Sequence, residues 1–253
     1  MDREVTTEAV DGVLIVTISR PEAKNAMNKA AAEGIAAAMD RLDEDAGLRV
    51  GILTGGGGTF CSGMDLKGFL AGEMPVVPGR GFGGIVERGP EKPLIAAVEG
   101  FALAGGLELA LACDLIVAHR AAQFGIPEVK RGLAAGGGGL VRLPRQIAPR
   151  VAMELALTGD PIGAERAYEL GLINAVCDGP ALDGALALAR RIVANGPLAV
   201  AASKAIIRNS PLWPEAEMAE RQMPYLAPVF TSSDAREGPR AFAEKRPPRW
   251  TGT

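Results

Sequence analysis

The chain alternates short apolar runs with longer segments whose apolar positions recur at helical spacing. Val13 to Ile18 (VLIVTI) is apolar and β-branched, ends at Arg20-Pro21, and predicts a strand. Lys24-Asn25-Ala26-Met27-Asn28 leads into an alanine-rich helix over residues 28–43. Val50 to Thr54 predicts a second strand, and the Gly55–Gly58 run turns the chain away from it. Leu94 to Val98 predicts a third strand, Leu115 to Ala118 a fourth, and Ala122 to Gly125 a short fifth ending before Pro127-Glu128. Residues 72–92, rich in Gly and Pro, predict a mobile loop. From residue 139 onward the pattern is mostly helical, with turns at Gly159-Asp160-Pro161 and Gly179-Pro180; only Ile173 to Val176 reads as a strand, and Pro211 and Pro214 open a last helical part. Strands alternating with helices, then helices alone, predict an α/β core with a helical C-terminal extension.

One acid breaks this pattern. Residues 94–118 read LIAAVEGFALAGGLELALACDLIVA, with Glu108 near the middle. An unpaired buried carboxylate is strongly disfavoured, so a glutamate kept there needs partners or a task. If Gly105 opens a helix, Glu108 lies one turn in on the same face, leaning back toward the helix N-terminus. Free backbone N–H groups and an acid then meet at one spot, which suits stabilising an oxyanion and moving a proton beside it. The stretch is long enough to span a bilayer, but Glu99, Glu108 and Asp114 each oppose insertion, by roughly 2.5–3.5 kcal/mol for a central Asp. Gly100, Gly105 and Gly106 also divide it, so it reads as core and not as a membrane span.

Composition narrows the classes. The chain has 253 residues, 48% of them hydrophobic, enough for one sizeable core or a core with a small appendage. A formal net charge of −3 and only 4% aromatic residues give neither a basic footprint nor a stacking platform for nucleic acid. Cys61, Cys113 and Cys177 are scattered, with no CxxC pair, so no disulfide framework or zinc site is expected and a reducing cytoplasm fits best. The polar, acidic start MDREVTTEAVDG does not read as a signal peptide.

Several familiar chemistries lack their residues. His119 is the only histidine and no GxSxG exists, so a Ser-His-Asp hydrolase is not supported. The Gly55–Gly58 and Gly136–Gly139 runs are not followed by GK[ST], so neither is a P-loop, and no GxGxxG stands between a strand and a helix. Ser62 beside Cys61 has no base assigned to it.

Three segments carry a more specific signal: Phe60-Cys61-Ser62-Gly63-Met64-Asp65-Leu66, Gly100 to Ala110 (GFALAGGLELA), and Phe124-Gly125-Ile126-Pro127-Glu128-Val129 with Gly132 and Gly136–Gly139. With Arg20-Pro21 and the tail Gly238 to Arg246 (GPRAFAEKR), they resemble the crotonase superfamily, most closely the enoyl-CoA hydratases, over nearly the whole chain. The resemblance implies a crotonase-like spiral of ββα units over residues 1–195, bearing the coenzyme A thioester site. It also implies a C-terminal helical region over 196–253 that serves oligomerisation and covers the active site. A homotrimer or homohexamer follows from it, with no metal or redox cofactor, coenzyme A being part of the substrate.

The same resemblance assigns roles. The backbone N–H groups of Met64 and Gly105 would hold the thioester oxygen, and Glu108 and Glu128 would hold one water between them. Glu128 would give the proton to Cα while Glu108 helps activate the water. Lys24, Ala26, Ser62, Asp65 and Leu66 fall where the family holds coenzyme A. Phe242 and Lys245 match a tail that contacts it, often across a subunit boundary. Retention of both acids favours hydration of a 2-enoyl thioester. Relatives that only shift a double bond often lose the acid at the Glu108 position. The ending EGPRAFAEKR is also similar to that of carnitinyl-CoA dehydratases, which carry both acids. Two stretches depart from the usual hydratase pattern. Ala134-Ala135-Gly136-Gly137 replaces a Pro-Gly loop, and residues 72–92 match no subfamily. Both should shape the acyl pocket.

Overall fold

The computed structural model describes residues 4–253. Its first strands, β1 (Val5–Val10) and β2 (Val13–Ile18), form an antiparallel hairpin in register from Val5 opposite Ile18 to Val10 opposite Val13. Asp11 and Gly12 make the turn with φ of 49° and 79°, the left-handed pair that a two-residue hairpin turn demands. Helix α1 (Lys29–Glu44) follows, its first turn capped by the Asn28 side chain, which accepts from the Ala31 N–H at 2.9 Å. It buries Ala31, Ile35, Met39 and Leu42. Next come β3 (Val50–Gly55), the short helix α2 (Leu66–Leu70), and a small hairpin of β4 (Val76–Val77) and β5 (Gly81–Phe82).

The long apolar stretch divides as its glycines require. Strand β6 (Leu94–Val98) passes through Gly100 into β7 (Phe101–Leu103), then helix α3 (Gly105–Ala112), then β8 (Leu115–His119). Strand β9 (Gln123–Gly125) leads to a 3₁₀ turn, Pro127–Arg131, which carries Glu128. Helices α4 (Gly139–Gln146) and α5 (Pro149–Thr158), strand β10 (Ile162–Gly163), helix α6 (Ala164–Glu169), strand β11 (Ala175–Cys177) and helix α7 (Ala181–Val193) complete this part. Helices α8 (Pro197–Asn209), α9 (Met218–Thr231) and α10 (Asp234–Ala243) end the chain.

Six strands form the main sheet in the order β1-β2-β3-β6-β8-β11, parallel except for β1. Its inner strands are buried on both faces, which is why they read as unbroken apolar runs. One face packs on α7 through Ala181, Ala185 and Ala189; the other joins α1 and α3 in the larger core. A second sheet, β10-β9-β7, stands beside it. The chain passes twice from main sheet to second sheet, at β6 to β7 and at β8 to β9, and Cys61 adds a bridge to Ala102 where β3 makes the same passage. These repeated passages are the ββα spiral of the crotonase fold.

Two sequence expectations need correction. Residues 72–92 are not an irregular loop. They contain the β4–β5 hairpin, bury Ile85 and Val86, and bury Arg80, whose guanidinium pairs with Asp40. The C-terminal half also holds β10, a two-residue strand too short to leave a periodic signal. Helix α8 is tied to the core by Lys204, which pairs with Asp114 at 2.7 Å and donates to the carbonyls of Pro90 and Lys92. Helix α9 buries none of its residues in the single chain and leaves Met223 and Phe230 exposed. Among the described residues no single helix is long and apolar enough to cross a membrane.

Candidate active site

The second sheet explains why three distant segments meet. Cys61, Ala102 and Phe124 lie side by side, Cys61 bridged to Ala102 and Ala102 paired with Phe124. Chains leaving aligned positions in one direction stay neighbours for a few residues. Met64 therefore comes down beside Gly105, and Pro127-Glu128 beside both. Contacts fix this closeness. A Cβ added at Gly63 would stand 2.8 Å from Ala104 Cβ and 3.4 Å from the Gly105 nitrogen, and Gly63 itself has φ of 110°. A Cβ at Gly106 would stand only 2.0 Å from the Cys61 carbonyl oxygen, so helix α3 can approach the Cys61 strand only through glycine.

Two N–H groups are left free at this junction. Gly105 is the first residue of α3 and has no intrahelical acceptor. Its predecessor, Ala104, is held at φ 52° and ψ −127°, a conformation rarely adopted outside glycine that costs about 1–3 kcal/mol. The Ala104 N–H donating to Gly125 at 2.8 Å helps to hold it. Around Met64, the Met27 N–H donates to Gly63 and the Asp65 N–H to Met27, so strand-like pairing brackets Met64. Among the described residues neither the Met64 N–H nor the Gly105 N–H donates to a protein acceptor.

Glu108 is buried, and its Oε1 accepts from the Gly139 N–H at 2.8 Å. Burial raises its carboxyl above the ordinary range, against the opposing pull of the Gly139 and Gly137 amides and the Arg142 charge. Glu128 is half-buried, and its Oε2 is buried without a hydrogen-bond donor among the described residues. Its carboxyl is raised by burial and by the neighbouring Glu108, with Arg131 acting the other way. Its own backbone N–H also acts to lower it, but Oε2 has no donor; two acids that feel one another favour a single shared proton, and the less fully held Glu128 is the better place for it.

Both acids, Met64 and Gly105 line one cleft of about 1500 Å³. Lys24, Ala26, Ser62, Asp65 and Leu66 line it too, at the end formed by the 20–26 and 62–70 segments. Lys24 lies over the Phe101 ring at 5.5 Å, and Asp65 caps α2 while accepting from Arg20 at 3.0 Å. Phe242 and Lys245 are exposed and lie off this cleft within the single chain. Sequence reasoning missed three contributors. Phe82 covers Gly105, since a Cβ there would sit 2.4 Å from the ring. Asn25, fully buried, ties the 20–26 segment to the carbonyls of Gly56 and Thr59. Arg142 reaches the glycine loop that holds Glu108. The left-handed φ of 54° at Asn25 follows a turn-forming Arg-Pro, a weak signal that was legible; the reach of Phe82 and Arg142 was not. Cys61 lies beneath this site fully buried, its thiol pushed up to about 12, so it stays protonated and is no nucleophile.

Comparison with known proteins agrees with this architecture. Residues 8–253 match the family model described as Enoyl-CoA hydratase/isomerase. A solved structure of an enoyl-CoA hydratase from Mycobacterium tuberculosis H37Rv is 64% identical, covers 100% of both chains and superposes with a TM-score of 0.97. Enoyl-CoA hydratase EchA19 of Mycobacterium tuberculosis is 47% identical over 249 residues, spanning 94% of this chain and 92% of that protein. A carnitinyl-CoA dehydratase of Salmonella paratyphi A is 41% identical over 250 residues, spanning 95% of each. Fold, cleft and sequence match together place this chain in the enoyl-CoA hydratase/isomerase family.

Proposed function

We propose that the protein catalyses reversible addition of water to a 2-enoyl-CoA, giving the 3-hydroxyacyl-CoA. The observation that carries this reading is the pair of raised carboxyls, Glu108 and Glu128, facing one cleft beside two free N–H groups. A thioester oxygen between Met64 and Gly105 gains charge when water attacks Cβ, and the two donors with the α3 dipole stabilise it. Glu108, held by backbone amides, is the carboxylate that takes a proton from water as the hydroxyl bonds to Cβ. Glu128, without a donor on Oε2, carries the proton delivered to Cα. Water supplies both the hydroxyl and, after exchange between the acids, the proton, so atoms balance with no redox partner. Hydration and dehydration are one equilibrium run in two directions, so relatives named for either fit the same machinery.

The 20–26 and 62–70 segments would hold the coenzyme A moiety. The unburied face of α9, with Met223 and Phe230 exposed, supports assembly as a trimer or a dimer of trimers, in which Phe242 and Lys245 would contact the coenzyme A of a second copy. Glu108→Gln and Glu128→Gln each remove one proton carrier at nearly constant shape. Each should lower kcat about 10²–10⁴-fold, as expected for loss of general acid–base catalysis, with the fold intact by circular dichroism. Wild-type turnover of short and long enoyl-CoAs by both variants would refute the assignment.

A further inference from the structure

The Gly137–Gly139 run has a use that neither a turn nor a phosphate loop explains. It lies against both Glu108 and Arg142. A Cβ at Gly137 would lie 2.6 Å from Glu108 Oε2, one at Gly139 would lie 3.1 Å from Glu108 Oε1, and one at Gly138 would lie 2.3 Å from Arg142 Nη1. A side chain at any of these three positions would have to displace the Glu108 carboxylate or the Arg142 guanidinium, and the bare backbone presents the Gly139 N–H, at the start of α4, to the Glu108 carboxylate. Arg142, which lines the same cleft, then grips this loop. Its Nη1 donates to the Gly137 carbonyl at 3.2 Å, and its Nη2 donates to the carbonyl of Val86, in the segment after β5. One guanidinium thus joins the loop holding the acid to the segment whose Phe82 covers Gly105.

We propose, resting on the hydratase reading above, that Arg142 is a positioning residue: it clamps the Gly137–Gly139 backbone to the Val86 segment and so sets the place of the Glu108 carboxylate. A planar fork suits the task, since it reaches two carbonyls in different directions from one rigid group. The clamp also places a fixed charge near Glu108, and neither Arg142 nor its neighbour Arg145 is in an ion pair among the described residues. The charged groups around the pair are Glu128 and Arg131 from the Pro127–Arg131 turn, Arg145 from α4 and Arg208 from α8. None of these other cations acts on Glu108 as Arg142 does, which holds the carboxyl lower than burial alone would leave it.

The full-length protein, labelled with ¹³C at the glutamate carboxyl carbons, tests this directly, with Glu108→Gln assigning the Glu108 resonance. In Arg142→Met the Glu108 carboxyl should titrate at higher pH than in the wild type. With crotonyl-CoA as substrate, kcat should fall about 10- to 100-fold while KM moves less than about threefold, the pattern of a displaced acid with substrate binding kept. Arg142→Lys keeps the charge but, as a point donor, cannot span both carbonyls, so its kcat should also stay about tenfold low. A Glu108 midpoint in Arg142→Met at or below the wild-type value overturns the proposal, as does wild-type kcat in Arg142→Lys. If Arg142→Met does not fold, Arg142→Gln is read by the same two outcomes. The titration needs no substrate: a wild-type protein inactive on every enoyl thioester would sink the hydratase reading while the midpoints still decide the role of Arg142.

Discussion

Gly106→Ala probes the site without touching a reactive group. The new methyl would lie 2.0 Å from the Cys61 carbonyl oxygen and 2.8 Å from its carbonyl carbon. Ordinary contact begins at 3.4 Å, so strand and helix must separate by 1.4 Å (3.4 minus 2.0). The obstacle is backbone and cannot rotate away. The Cys61 carbonyl also accepts from the Leu103 N–H at 3.1 Å, so the opening pulls on the bridge aligning Met64 with Gly105. Overpacking of this kind costs about 1–3 kcal/mol of stability. A misplacement of about 1 Å at the oxyanion donors costs about 10²-fold in rate. The assay is kcat with crotonyl-CoA beside the thermal midpoint. Gly179→Ala serves as control, because a Cβ there meets nothing within 4 Å. Gly106→Ala with near-wild-type kcat and an unchanged midpoint would refute the claim that contact between the Cys61 strand and α3 sets the two donors.

Other consequences can be measured on the same preparation. The raised Glu128 carboxyl binds its proton more tightly folded than unfolded, so it contributes stability at acid pH that is lost as pH rises from the ordinary value of 4.5 through the folded value. Glu128→Gln should therefore raise Tm at neutral pH, and the gain should vanish toward pH 4.5; an equal gain at all pH values would contradict a buried, titrating carboxyl as its cause. Asn25→Ala leaves the Gly56 and Thr59 carbonyls and the Arg20 N–H without their buried partner and puts alanine at φ 54°. It should cost about 3 kcal/mol or more in urea unfolding and raise KM for acyl-CoA; an unchanged midpoint would count against its latching role.

Much of this fold was legible because its buried strands are short, apolar and β-branched. The predicted strands 13–18, 50–54 and 94–98 fall on β2, β3 and β6, and Asn28 caps the helix predicted from it. Strand β1 was not read because it is an edge: only Val5 leans on the core, so VTTEAV shows no buried periodicity. The Asp11-Gly12 pair behind it was the available signal. The β4–β5 hairpin hid in a segment whose glycines and prolines dominate its composition, although Arg80, Ile85 and Val86 are buried there. At the site, the family resemblance singled out Glu108, Glu128, Met64 and Gly105, and all four line one cleft. Phe82 and Arg142 act through tertiary contacts on Gly105 and Gly137, which no local pattern encodes.

Addition of water across Cα and Cβ of an enoyl thioester leaves solvent oxygen at Cβ and a solvent hydron at Cα. Both can be read by mass spectrometry after incubating the protein with crotonyl-CoA in ¹⁸O-labelled heavy water. The expected product is 3-hydroxybutyryl-CoA carrying ¹⁸O at Cβ and one solvent deuteron at Cα, both marks appearing about 10²–10⁴-fold more slowly in Glu108→Gln and Glu128→Gln. Recovery of an enoyl-CoA that has gained deuterium without oxygen, or of unlabelled crotonyl-CoA, would contradict hydration.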